Sequence, residues 1–514
     1  MGELARHWLN ASKSPDFGRA IRYARQAGEA ALSALAPADA LRYFTQASEL
    51  MDQVDDPDPV LALDLAIGLG TAQRQTGNPA FRDTLLEAAH RAADLGDTER
   101  LVAAALANNR GFYSAVGATD TDKVSVLETA LEALPNRHPD RALVLAALCS
   151  ELAHGSTLER RQALAEEAES AAQAGGDDTT IVRVLNHLYV PLQVPQLLEP
   201  ALARTTDALA RAERLGDPAL LYWAAMWRYE TAARSGDIDE LDRCLAIHGA
   251  MADQLCQPVF TWGHTFLRAQ RAFIAGDTDR AEELATEALQ IGTESGQPDA
   301  TLIYGTQLMG VRGQRGTMHE LVPLIEQMAS DAPEISPWMF GSLLAKAHVE
   351  VDCIDQALDQ LEAFAASGFD LQLDQVWLSG MVDYADAAVA CGDPTYAELL
   401  FERLAPWHAQ LPATGASALA PVSHYLGGLT TVLGRYDEAD AYYSQSAAMS
   451  ERIGAKFFAA RTDLWWGSML VRRDRPGDAD AARARLIKAY EAAQAHGYGN
   501  VERRAHEALE EIGR

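Results

Sequence analysis

The sequence predicts an all-α fold, an α-solenoid (superhelix) of about twelve helical hairpins that repeat about every 40 residues. Three observations predict it. A glycine followed five residues later by alanine or leucine recurs along the chain: Gly236 with Leu241, Gly276 with Ala281, Gly316 with Leu321, Gly392 with Ala397, Gly434 with Ala439 and Gly477 with Ala482. Asp352 holds the glycine's place before Ala357. Apolar residues make up 48% of the 514, much of that share alanine, while Thr, Val and Ile are sparse, a balance that favours helix over strand. Within single units, small and aromatic residues recur at four-residue spacing, as in Ala439, Tyr443 and Ala447.

Taken in order, second helices of hairpins are expected to begin near Pro37, Pro79, Thr121, Leu158 and Pro200, at steps of about 40. The stretch Met51 to Pro59 is read as a long inter-repeat loop. Val190-Pro191-Leu192-Gln193-Val194-Pro195 is the least regular segment, because two prolines so close do not fit a helix interior. Further along, Gly236-Asp237, Gly276-Asp277 and Gly392-Asp393-Pro394 each pair a helix stop with a helix start. The unit at 418–454 is the clearest. An apolar helix begins near Pro421 and ends before Gly434, Arg435-Tyr436 turn, and Asp437 is expected to cap a helix that stops at Gly454. Gly427 and Ala439 are the small residues at which the two helices cross.

Leu426-Gly427, Gly434-Arg435-Tyr436 and Ala439 together resemble the tetratricopeptide repeat, with a spacing looser than its usual length of roughly 34 residues. A second resemblance covers about 50 N-terminal residues. Glu3-Leu4-Ala5-Arg6-His7-Trp8, Arg19-Ala20-Ile21-Arg22-Tyr23-Ala24, Gln26-Ala27-Gly28-Glu29-Ala30-Ala31 and Ala36 to Phe44 look like the segment that follows the nucleotide-binding module of bacterial, actinobacterial STAND-type ATPase regulators, LuxR-type or nucleotide-cyclase-like. The resemblance implies that residues 1–51 form a junction segment continuous with a tetratricopeptide-like solenoid over 52–514. It also implies a sensor and scaffold role beside an ATPase or cyclase, upstream or acting in trans. The family's own ATPase and DNA-binding activities do not carry over, since no G-x-x-x-x-G-K-[ST] loop is present and no basic helix-turn-helix follows the repeats.

The formal charge of −30 disfavours nucleic acid and anionic membrane surfaces as direct partners. Five scattered cysteines without C-x-x-C read as free thiols in a reducing compartment, and the N-terminus lacks a signal-peptide core, so a cytoplasmic location is expected. Gly310 to Gly316 has no lysine and no preceding strand, so it reads as helix-packing glycines and not as a phosphate loop. The histidines show no H-E-x-x-H spacing, and no G-x-S-x-G occurs. No catalytic residue, metal or cofactor is therefore expected, and the chain reads as a non-enzyme.

Candidate binding residues come from what does not recur. Trp223 and Trp227 share one helix face, as do Trp262 and Phe266 one repeat later. The bland reading is core between helices. The sharper one is a lining of the concave groove for a protein or peptide partner, with Glu230, His264, Arg268 and Tyr304 as polar contacts and His424 on a later first helix. Asn108, Asn109 and Arg110 form a polar patch inside a first helix, where unpaired burial would cost about 1–3 kcal/mol per group. The other function class kept open is a small-molecule sensor whose effector sits inside the superhelix.

Overall fold

The computed structural model describes residues 17–109, 119–331 and 337–512. Glu3 to Trp8 and Arg110 lie outside the described residues. The described chain is helical almost throughout, and the helices alternate as first and second members of hairpins. It divides into two compact units: Met1–Pro191 with Thr293–Pro298, and Leu192–Gly292 with Asp299–Arg514. In sequence the units meet inside the irregular Val190–Pro195 stretch, which forms two short 3-10 turns instead of a helix.

Unit 1 contains α1 (Phe17–Ser33), α2 (Pro37–Met51), α3 (Pro59–Gln75), α4 (Phe81–Asp94), α5 (Thr98–Asn108), α6 (Thr121–Ala133), α7 (Arg141–Glu151), α8 (Leu158–Gly175) and α9 (Asp178–Leu188). Unit 2 is built from α10 (Leu198–Leu215), α11 (Pro218–Ser235), α12 (Ile238–Leu255), α13 (Pro258–Ala275), α14 (Thr278–Glu294), α15 (Ala300–Arg315), α16 (Val322–Asp331), α17 (Pro337–Glu350), α18 (Ile354–Ala365), α19 (Trp377–Cys391) and α20 (Pro394–Leu404). It continues through β1 (Ala413–Thr414) and β2 (Ser417–Ala418) into α21 (Val422–Val432), α22 (Tyr436–Arg452), α23 (Lys456–Arg473), α24 (Asp478–His496) and α25 (Gly499–Ile512). The expected second helices all appear, with starts at Pro37, Phe81, Thr121, Leu158 and Leu198.

Glycine–aspartate pairs set the turns. Gly236 takes φ +70 at the end of α11, and Asp237 then accepts a hydrogen bond from the Glu240 backbone to open α12. Asp352 does adopt the glycine conformation expected of it, with φ +57. One local expectation fails. Asp437 is not the cap of α22: Arg435 holds that position, and Asp437 lies in the first turn, where it pairs with Arg475. In the Gly477–Ala482 pair, α23 is followed by Asp474 with φ +48, and Gly477 is the residue before α24.

Helix crossings follow one rule in both units. A Cβ at Gly427 would fall 2.7 Å from the Tyr443 ring, and one at Gly70 would fall 2.5 Å from Leu85. A large side chain of the second helix thus occupies the space the glycine leaves on the first, and packing this tight does not absorb an extra methyl group.

Candidate functional site

In unit 1 the first helices α3, α5, α7 and α9 carry a row of polar side chains. Arg74 on α3 donates to the Asn109 carbonyl at 2.9 Å. The Asn109 amide nitrogen lies 3.4 Å from both the Ala147 carbonyl and the Glu151 carboxylate of α7. His187 on α9 is held neutral, its pKa pushed down to about 4 by burial and by the positive Arg183 and Arg74. Arg74, Asn186 and His187 are half-buried and Arg183 is exposed, so solvent reaches part of the row. The Asn186 side-chain oxygen has no hydrogen-bond partner.

Asn108 and Asn109 do different work. α5 ends at Asn108, so the pair closes the helix instead of sitting inside it, and Asn109 is already extended. Asn108 turns toward α4 and donates to the Arg82 carbonyl at 3.1 Å. Asn109 turns toward the neighbouring first helices.

In unit 2 the first helices face one another. Phe273 of α13 meets Phe458 of α23 edge-on at 6.2 Å, and Tyr498 donates to the Gly276 carbonyl at 2.9 Å. Asn500 at the start of α25 donates to the Glu350 carboxylate at 2.6 Å. The inner face is thereby covered by the unit's own later repeats. The rest is filled by the β1–β2 hairpin, in which Ala413 pairs with Ala418 and Thr414 with Ser417. The Gln270 amide, 0% exposed, donates to the carbonyls of Thr414 and, at 2.9 Å, Ser417. Gln193 donates to the Ala413 carbonyl at 3.3 Å, Gln410 to the Pro195 carbonyl at 2.8 Å, and the Leu411 backbone N–H to the Arg234 carbonyl at 2.9 Å.

Of the aromatic candidates, Trp223 is half-buried and stacks on Trp227 at 6.0 Å. Trp227 and Trp262 are core residues, and Trp262 packs edge-on to Phe266 at 5.3 Å. His264 and Arg268 on α13 are half-buried. His264 faces His248 of α12, with their Nδ1 atoms 3.3 Å apart. Burial pushes the His264 pKa down to about 4, so it is neutral at pH 7. Tyr304 packs partly buried beside Ala269 and Leu284. Glu230 is 1% exposed beside the hairpin tip, and burial raises its carboxyl to about 8. His424 is fully buried on α21, bonded to Thr462 at 3.1 Å and stacked on Trp465 at 4.3 Å.

Around His424 lies a buried ion cluster on successive first helices. Arg461 of α23 pairs with Asp386 of α19 and sits 3.9 Å from Glu350 of α17, while Lys346 of α17 pairs with Asp383 of α19 at 3.3 Å. Burial raises the Asp383 carboxyl to about 6. These residues, like the glutamines that hold the hairpin, were not among the sequence candidates. The available signal was a charged or amide side chain in the middle of an otherwise apolar first helix. The structure therefore separates the candidates into Trp223 to Tyr304 on α11, α13 and α15, His424 in the ion cluster, and Asn108 with Asn109 in unit 1. Among the described residues no group of three or more His, Cys, Asp or Glu is placed to hold a metal, and no helix is long and apolar enough to cross a membrane.

No protein-family model matches the chain, and no curated protein matches it in sequence. Among solved structures, yeast Tom70 aligns at 14% identity over 91% of this chain and 99% of its own, with a TM-score of 0.30. A circular tandem repeat protein aligns at 17% identity over 99% of this chain and 96% of its own, with a TM-score of 0.14. Superpositions this loose carry no argument about function. The fold assignment rests on the helix order, the left-handed turn residues and the crossings described above: an all-α solenoid of tetratricopeptide-like hairpins.

Proposed function

We propose that the chain is a non-catalytic interaction scaffold that binds a peptide or protein segment along its first-helix face. The observation that carries this reading is the row Arg74, Asn109, Glu151, Asn186 and His187 on four consecutive first helices of unit 1. Arg74, Asn186 and His187 are its half-buried members, and the Asn186 side-chain oxygen, which has no partner, suits an N–H of an extended backbone running across successive repeats. The N-terminal resemblance extends the reading to the sensor region of a cytoplasmic bacterial signalling regulator, working beside an ATPase or cyclase module.

Selection from a displayed random-peptide library tests it. Wild-type protein is expected to enrich binders, and the double variant Asn186→Ala with His187→Ala is expected to lose them while melting at an unchanged temperature. A wild-type protein that enriches nothing, or a variant that binds equally well, overturns the reading.

A second reading, a small-molecule sensor, is favoured by the interior of unit 2. There the Asp386 Oδ1 and His424 Nε2 atoms are buried without a hydrogen-bond partner beside Arg461 and Trp465. Equilibrium dialysis against a metabolite pool, with Asp386→Asn as control, separates the two.

A further inference from the structure

The glutamine contacts that hold the β1–β2 hairpin go to its backbone, while the side chains of Leu411, Ala413, Ala418 and Ala420 are buried and set the bulk the seat takes. Gln270 and Gln193 donate only to backbone carbonyls, at Thr414, Ser417 and Ala413. The segment itself, Leu411-Pro412-Ala413-Thr414-Gly415-Ala416-Ser417-Ala418-Leu419-Ala420, is made almost wholly of small residues. A seat of this kind accepts any extended segment of similar bulk, because main-chain groups supply the affinity.

The fit is incomplete at one place. Neither oxygen of the buried Glu230 carboxyl has a hydrogen-bond partner, and the Gln270 side-chain oxygen has none either. The atoms above Glu230 are those of the hairpin tip. A Cβ built at Gly415 would lie 3.2 Å from Glu230 Oε1, 3.6 Å from Phe266 and 3.8 Å from Met226. The 3.2 Å contact is tight, and once the Glu230 carboxyl gives by a few tenths of an ångström a hydroxyl on that Cβ reaches hydrogen-bond distance of it, a group that glycine does not supply. Gly415 is also outside the left-handed φ region, so nothing in its backbone demands glycine.

We propose that the hairpin is a tethered occupant of a second peptide-binding site. The site lies on the inner face of α11, α13 and α15, and its external ligand is an extended, alanine-rich segment with serine or threonine above Glu230. This goes beyond the unit 1 reading and stands without it. The seated hairpin shows the backbone path and the side-chain size the site takes, and the unsatisfied carboxyl shows the one group it lacks.

The test uses the full chain and two synthetic peptides spanning 411–420, one with the native sequence and one with serine in place of the glycine. Fluorescence anisotropy should show saturable binding of both. The serine peptide should bind about tenfold tighter, the worth of one hydrogen bond to a buried carboxyl. Gln270→Ala should weaken both peptides. Amide exchange at Leu411 and Leu419 of the protein should quicken when the peptide is added, because the tethered hairpin is displaced. A chain carrying Gly415→Ser should resist that displacement. Absence of saturable binding, equal affinity for the two peptides, or binding that leaves hairpin exchange unchanged would each overturn the proposal.

Discussion

The two units share an architecture and differ in what their first helices face. In unit 1 the polar row has half-buried ends, at Arg74 and at Asn186 with His187, while Asn109 and Glu151 between them are buried, and its spacing matches consecutive repeats. In unit 2 the equivalent face is closed by the unit's own later repeats and hairpin, and its charges are paired out of solvent, as in Arg461 with Asp386 and Lys346 with Asp383. Closing a solenoid on itself covers a binding surface from within, and polar groups the chain's own segment does not satisfy, such as Glu230, are left for another ligand.

Stability measurements on matched substitutions expose this difference. The largest effect is expected at the unit 2 ion cluster. Arg461→Met leaves Asp386 and Glu350 buried without their counter-charge and should cost about 3–5 kcal/mol in urea unfolding. Asn186→Ala in unit 1 should stay within about 0.5 kcal/mol, because its side chain is half-buried and its oxygen already lacks a partner. Equal costs at the two sites would erase the distinction. Helix crossings, by contrast, should behave alike: Gly70→Ala and Gly427→Ala each push a Cβ into a packed side chain and should each cost about 1–3 kcal/mol.

An effect of comparable size is expected from pH. The Glu230 carboxyl is raised to about 8 in the fold, against an ordinary value near 4.5. The folded state therefore holds a proton that the unfolded state has lost. This contribution is fully present below about pH 4.5 and disappears as pH rises through about 8. Arg234 is the charge that partly opposes the shift. Glu230→Gln should remove the dependence, so that its melting temperature exceeds the wild type's more at pH 8.5 than at pH 5. A constant difference between the two pH values would show that Glu230 does not titrate as a buried group.

The smallest effect on stability, and a decisive one for binding, is expected at His187. His187→Gln keeps a neutral polar side chain and should leave melting unchanged while weakening any peptide selected on unit 1.

The repeats were legible because their signals are local. Gly236-Asp237 states a helix stop and start by backbone conformation alone, and even the glycine role of Asp352 could be read from its register. Asp437 misled because an aspartate near a helix start looks the same whether it caps the backbone or pairs with Arg475, 38 residues on. The aromatic candidates were chosen for residue type, which does not distinguish a groove from a core; Trp227 and Trp262 are core, while Trp223 keeps part of its surface. The hairpin was not legible as structure, since two-residue strands leave no period. Its length was visible, as Ala405 to Pro421 is longer than a described connection such as Ala366 to Val376. Contacts such as Tyr498 with Gly276 link residues more than 200 positions apart and follow from closure of the superhelix, which no single repeat encodes.

Amide hydrogen exchange across residues 411–420 tests most directly whether unit 2 fills its own inner face. In the chain alone, the Leu411 N–H bonded to Arg234 and the Leu419 N–H bonded to Pro412 should exchange far more slowly than those of an unstructured peptide. Exchange at the rate of an unstructured peptide at these two amides would contradict the account, because the inner face of unit 2 would then be open.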